Sequence, residues 1–173
     1  MTFTAQEIKF YQKNKVKVKL KLKTFALITI LLVASCSRKD DLSLLERADS
    51  EYKRKNFKTA IELYNLFVQK HPKNLKSAEA LFKLAQIYLS DLRMPKEAVK
   101  IFERIYENYP DTKEGMNSLF MLGFVYANEL NDYEKAKTYY QKFIEKYPNS
   151  ELAISAKFEI ENLGKEPEKI ITK

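Results

Sequence analysis

Residues 98–110 read Ala-Val-Lys-Ile-Phe-Glu-Arg-Ile-Tyr-Glu-Asn-Tyr-Pro, and this string is the middle one of three related copies. Ala60, Ala98 and Ala136 stand 38 residues apart, as do Tyr64, Phe102 and Tyr140, then Phe67, Ile105 and Phe143, then Pro72, Pro110 and Pro148. In each copy the apolar residues fall at i, i+4, i+7 and i+8, as in Ala60, Tyr64, Phe67 and Val68. That spacing is one face of an α-helix, and the proline behind it ends the helix. A self-similar helical unit at constant period predicts a stacked array, because no single unit buries its face alone.

Outward from these strings, helical patterns pair off over about 42–54 with 58–70, 75–89 with 95–108, and 113–128 with 132–146. A last helix is expected at about 150–163, where Phe158 and Ile160 stand 38 residues after Phe120 and Leu122 before the pattern stops at Gly164. In the first members Leu84-Ala85-Tyr88 corresponds to Leu122-Gly123-Tyr126. The small residue predicts close approach of the paired helices, opposite the alanine of the second helix. Pro95 suits a first-turn position, and Asp111-Thr112-Lys113-Glu114 has capping-box spacing. The first unit is the least regular: Ala48-Asp49-Tyr52 stands where Leu-small-Tyr is expected, which predicts a turn two residues shorter. The fold expected is all-α, a right-handed superhelix of antiparallel helix pairs with three repeats and a C-terminal capping helix.

Leu122-Gly123, Tyr126, Ala136, Tyr140 and Pro148 resemble the small, aromatic and proline positions of the tetratricopeptide repeat. The usual period of that repeat is about 34, so the turns here are longer. Tyr147-Pro148-Asn149-Ser150-x-x-Ala153 and Asp132-Tyr133-Glu134-Lys135-Ala136 are similar to strings in BamD-type outer-membrane lipoproteins, although three repeats and a cap are fewer than such proteins carry. The resemblance implies a concave groove lined by first helices. Its positions map to Glu46, Ser50 and Arg54, to Glu79, Phe82, Gln86 and Ser90, and to Asn117, Phe120, Phe124 and Asn128. The partner-binding residues expected are Phe82, Phe120 and Phe124 as an apolar floor, flanked by Gln86, Asn117 and Asn128. A plainer reading makes the Phe82, Phe120, Phe158 series packing between adjacent repeats. Phe124 breaks that series, having Gln86 at its equivalent, and is the better binding residue.

Ahead of the repeats, residues 1–35 read as a secretory signal: seven lysines and one acid, a ten-residue apolar run from Phe25 to Ala34, then Ser35. Ten residues of helix cover about 15 Å, half of a bilayer core. Val33-Ala34-Ser35-Cys36 resembles the lipobox of bacterial lipoproteins, which implies cleavage before Cys36 and acylation of its thiol. Residues 36–41 are then the lipidated cysteine and a short tether, 42–163 the repeat domain and 164–173 a tail. Five residues of tether reach less than about 20 Å, so the domain is expected close to the bilayer. Ser37 after the cysteine resembles lipoproteins passed to the outer membrane. Lys39-Asp40-Asp41 resembles a surface-export signal, so the expected location is lipid-anchored at the outer membrane, on its periplasmic or its outer face.

The net charge of +8 belongs mostly to this leader, since the remainder holds 24 basic and 22 acidic residues. Nucleic acid is therefore not an expected partner. One cysteine, Cys36, and one histidine, His71, leave no material for a disulfide, a zinc site or a nucleophile–histidine pair. No catalytic residue, metal or cofactor is expected. The function expected is protein–protein interaction in the bacterial envelope, with envelope proteins or peptides as partners, in outer-membrane protein assembly. The alternatives are a CpoB-like cell-wall or division coordinator and an accessory subunit of an envelope enzyme.

Overall fold

The computed structural model describes residues 43–165. The expected signal, Cys36 with its tether, and the tail from residue 166 lie outside them. The chain divides at Leu44/Leu45, and the account below concerns the unit from Leu45 onward.

The described residues are helical, with no strand among them. We label the helices α1 (43–53), α2 (Phe57–Lys70), α3 (Leu75–Gln86), α4 (Pro95–Asn108), α5 (Lys113–Asn128), α6 (Tyr133–Lys146) and α7 (Glu151–Asn162). A π-helical turn, Ile87–Asp91, continues α3. From α2 onward each helix packs on the next, and α3 also meets α5. The pairs α1/α2, α3/α4 and α5/α6 are the three repeats. The 38-residue series Ala60/Ala98/Ala136 and Tyr64/Phe102/Tyr140 are wholly buried, so the face read from the sequence is the core.

Helix starts carry side-chain caps. Asn74, Thr112, Asp132 and Ser150 accept from the backbone N–H groups of Lys76, Gly115, Lys135 and Leu152, which satisfies donors that a helix start leaves open. Pro95 occupies the first turn of α4, where its missing N–H costs nothing. The α5 cap is Thr112, so the capping-box spacing counted from Asp111 is out by one residue.

The turn inside each repeat is built on a left-handed residue at the same register: Lys55 (φ 62°), Arg93 (φ 55°) and Asn131 (φ 53°). Asn56, Met94 and Asp132 follow, and their N–H groups donate to Glu51 O, Tyr88 O and Tyr126 O at 2.7–2.9 Å. The span is one residue shorter in the first repeat, not the two expected. In that register Ala48 aligns with Ala85 and Gly123, and Asp49, rather than Ser50, aligns with Gln86 and Phe124.

Between repeats the joint is equally regular. His71, Tyr109 and Tyr147 end α2, α4 and α6 with φ near −130°. The Tyr109 hydroxyl donates to Pro72 O at 2.6 Å and the Tyr147 hydroxyl to Pro110 O at 3.1 Å, so each tyrosine ties its repeat to the one before. The His71 ring packs against Phe67, tilted by 43° with the ring centres 5.0 Å apart. Gly115 sits so close to this joint that a Cβ would lie 2.1 Å from Tyr109 O.

Gly123 lies against the ring of Tyr140, one turn after Ala136 on the same face of α6. A Cβ there would lie 2.6–2.9 Å from three ring atoms. In α7 the corresponding residue is Glu161, and Lys157 replaces the buried Leu81 and Leu119. Those two substitutions give α7 an outer face that a further helix cannot approach as α6 approaches α5.

Candidate functional site

The six expected groove residues lie on two neighbouring helices, α3 and α5. On α5, Asn117, Phe124 and Asn128 are spaced at i, i+7 and i+11, which brings them within about 20° of one stripe, with Phe120 about 60° to the side. Gln86 and Phe82 hold the matching places on α3, one repeat earlier.

Phe82 and Phe120 are half-buried, and their rings are used within their own repeats. Phe82 meets Phe102 edge-on at 5.5 Å, and Phe120 meets Tyr140 and Phe143 at 5.4 and 5.6 Å. For Phe82 and Phe120 the packing reading therefore has the geometry, with these ring contacts inside a repeat, whereas Phe158, the third of the series, is 53 % exposed. Phe124 is also half-buried, and none of these aromatic contacts involves it. Its carbonyl accepts from Asn128 Nδ2 at 3.0 Å, which fixes the exposed Asn128 side chain along the helix. Asn117 is half-buried and Gln86 exposed.

Gln86 lines a cavity of about 290 Å³ between α1 and α3, together with Asp49, Tyr52, Lys53, Lys83 and Ile87. At its base one carboxylate oxygen, Asp49 Oδ1, accepts from the Tyr64 hydroxyl and from Lys83 Nζ, the latter at 2.6 Å. Burial alone raises the Asp49 carboxyl. The hydrogen bonds from Lys83 and Tyr64 and the Lys83 charge outweigh it and hold the group below its ordinary value. The Tyr64 phenol is pushed far up, by burial first and then by Asp49. The pair is a fixed dipole at the edge of the surface and not an acid–base couple, since both groups are driven away from neutral pH.

The sequence reading missed Asp49. Its signal was present, because Asp49 breaks the Leu-small-Tyr pattern, but the shorter turn put the register out by one residue. The same position runs Asp49, Gln86, Phe124 and Asn162 along the array. Beneath it lie Tyr64, Phe102 and Tyr140, and only Tyr64 finds an acceptor in this position. The hydroxyl of Tyr140 is buried with no hydrogen-bond partner among the described residues.

No cluster of metal-ligating side chains occurs among the described residues, and no described helix is long and apolar enough to cross a membrane. What the surface offers is a polar-edged stripe with one apolar residue at its centre, which suits peptide contact. The chain belongs to the tetratricopeptide repeat family, which matches residues 42–74, 79–112 and 117–150, more than half of its length. The match starts 37 residues apart between the first two repeats and 38 between the next two, the same offset that the turns show. Proteins of this class work by binding other proteins. Comparison with curated proteins gives no match.

Proposed function

We propose that this protein is a membrane-anchored docking factor of the bacterial envelope, held by lipid on Cys36, that grips a peptide segment on the α3–α5 surface around Phe124. The observation that carries the docking site is Phe124 itself. The fold is content with Asp49, Gln86 and Asn162 at its equivalents, so packing does not require an apolar residue there. Asn117, Gln86 and Asn128 supply polar groups beside it, and Phe82 and Phe120 form the apolar ground behind it. The protein acts by binding and not by catalysis in this reading.

The lipid anchor is supported by Val33-Ala34-Ser35-Cys36 behind an apolar run, and two or more acyl chains hold a protein on a bilayer stably. Labelled palmitate is expected on the wild type and absent from Cys36→Ala; equal labelling of both sinks the anchor. An assembly role at the outer membrane, of BamD type, is supported by the strings at 132–136 and 147–153. A detergent pull-down of the tagged chain from native membranes, beside Phe124→Glu, tests role and site together. Barrel-assembly components lost with Phe124→Glu are the expected result. Peptidoglycan enzymes point instead to a CpoB-like coordinator, and identical partners with both baits remove the site from this surface. Phe124→Ala is expected to cost less than about 1 kcal/mol of stability; a loss of several kcal/mol would mark a core residue.

A further inference from the structure

A second cavity, of about 430 Å³, opens between α4 and α6 and is lined by Lys96, Val99, Lys100, Glu103, Tyr126, Leu130, Asp132 and Lys135. Tyr126 lies nine residues after Asn117 on α5, about 180° around the helix, so this cleft is on the other side of α5 from the Phe124 stripe. We propose that the α4–α6 cleft is a second protein-docking site, which takes an acidic peptide segment carrying an aromatic or large apolar side chain.

The repeat itself requires only part of this lining. At the seam one repeat earlier, the positions of Val99, Tyr126 and Leu130 hold Ile61, Tyr88 and Leu92, so the apolar floor is architecture. The cations are not. Lys58 matches Lys96, but the positions of Lys100 and Lys135 hold Glu62 and Glu97. The later seam also gains two acids, Glu103 and Asp132 where the earlier one has Asn65 and Met94, so the lining moves from a net −1 to a net +1 on a floor that both seams possess.

The acids that line the cleft are already engaged. Glu103 accepts from the Tyr139 hydroxyl at 2.8 Å, and Asp132 is paired with Lys135 at 3.0 Å while capping α6. Lys100 pairs with Glu97 at 2.8 Å in an exposed contact, and Lys96 makes no ion pair or hydrogen bond among the described residues. Exposed pairs of this kind exchange readily for a better-placed carboxylate. In the floor, Tyr126 and Tyr139 stack at 5.5 Å with planes 7° apart, and Lys135 Nζ lies 5.0 Å from the Tyr126 ring centre. An apolar side chain entering the cleft packs against Val99, Leu130 and the part of the Tyr126 ring that Tyr139 and Lys135 leave uncovered, and acids flanking it in sequence reach the lysines at the rim. Free phosphate uses the rim but leaves the floor empty, which favours a peptide.

This proposal is independent of the Phe124 surface. Its test is fluorescence anisotropy of the full chain with a labelled heptapeptide, Asp-Glu-Asp-Phe-Glu-Asp-Glu. Saturable binding is expected, weakened at least tenfold in Lys96→Gln/Lys100→Gln/Lys135→Gln, weakened by rising salt, and unchanged within twofold in Phe124→Glu. A peptide with serine for the phenylalanine is expected to bind at least fivefold more weakly. The lysines are exposed, so circular dichroism should find the triple variant folded. Undiminished binding to that variant, equal binding of the serine peptide, competition by inorganic phosphate at the same concentration, or no saturable binding each overturns the proposal.

Discussion

Side chains that break the 38-residue pattern without gaining a partner should be improvable by copying the other repeats. Ser118 is buried and its Oγ has no hydrogen-bond partner among the described residues, whereas Ala80 and Ala156 occupy its equivalents. Tyr140 buries an unpartnered hydroxyl where Phe102 has none, and burial, then Glu159, pushes its phenol up. A buried unsatisfied group costs about 1–3 kcal/mol, so Ser118→Ala and Tyr140→Phe should each raise the midpoint of denaturant unfolding. Gly123 is the opposite case. The second repeat holds the buried Ala85 at this position, but in the third the Tyr140 ring lies too close for a methyl. Gly123→Ala should cost about 1–3 kcal/mol in the same measurement.

At the scale of the element, the helices were legible because each carries its own period, and most carry a capping residue at the start or a proline at one end. Pro95 and the prolines after α2, α4 and α6 marked the ends to within a residue or two. The turns were not legible in the same way. Lys55 and Arg93 adopt a left-handed conformation that their residue types disfavour, and only Asn131 advertises it. A lysine among many lysines gives no sign of a positive φ, and the one-residue slip in the first repeat, which hid Asp49, followed from that. Arg93→Gly should stabilise the chain by about 0.5–1 kcal/mol, read as a raised unfolding midpoint, because glycine takes this conformation without a Cβ clash. A neutral or negative effect would mean that the arginine side chain does something for the turn that its exposure does not reveal.

For the molecule as a whole, one charged group ties three helices together: Asp49 joins α1, α2 and α3 through Tyr64 and Lys83. Its carboxyl is held below the ordinary value of 3.8, so the folded state favours the ionised form. The resulting stability is fully present above that value and is lost as pH falls through the folded value. Asp49→Asn should lower stability at neutral pH by no more than about 1 kcal/mol, because both charged partners are more than a third open to water, and should flatten the acid limb of the stability profile. An unchanged limb would assign acid sensitivity to other carboxylates. The proposed docking stripe was legible only in part at this scale. Phe82 and Phe120 read alike in sequence, whether their rings face a partner or the next helix, and only the packing against Phe102, Tyr140 and Phe143 separates them from Phe124.

The tie between Tyr109 and Pro72 and that between Tyr147 and Pro110 span the same 37 positions. Donor and acceptor therefore belong to a module whose two ends are interchangeable. Excising residues 73–110 would join Pro72 to Asp111 and hand Tyr147 a proline carbonyl at its accustomed offset. The shortened chain should still fold as a helical array and melt cooperatively, at a lower temperature for want of one unit, whereas an excision a few residues longer or shorter should leave Tyr147 without its acceptor and melt lower still. The length of the array is in that sense a free variable, open to duplication or loss in whole units.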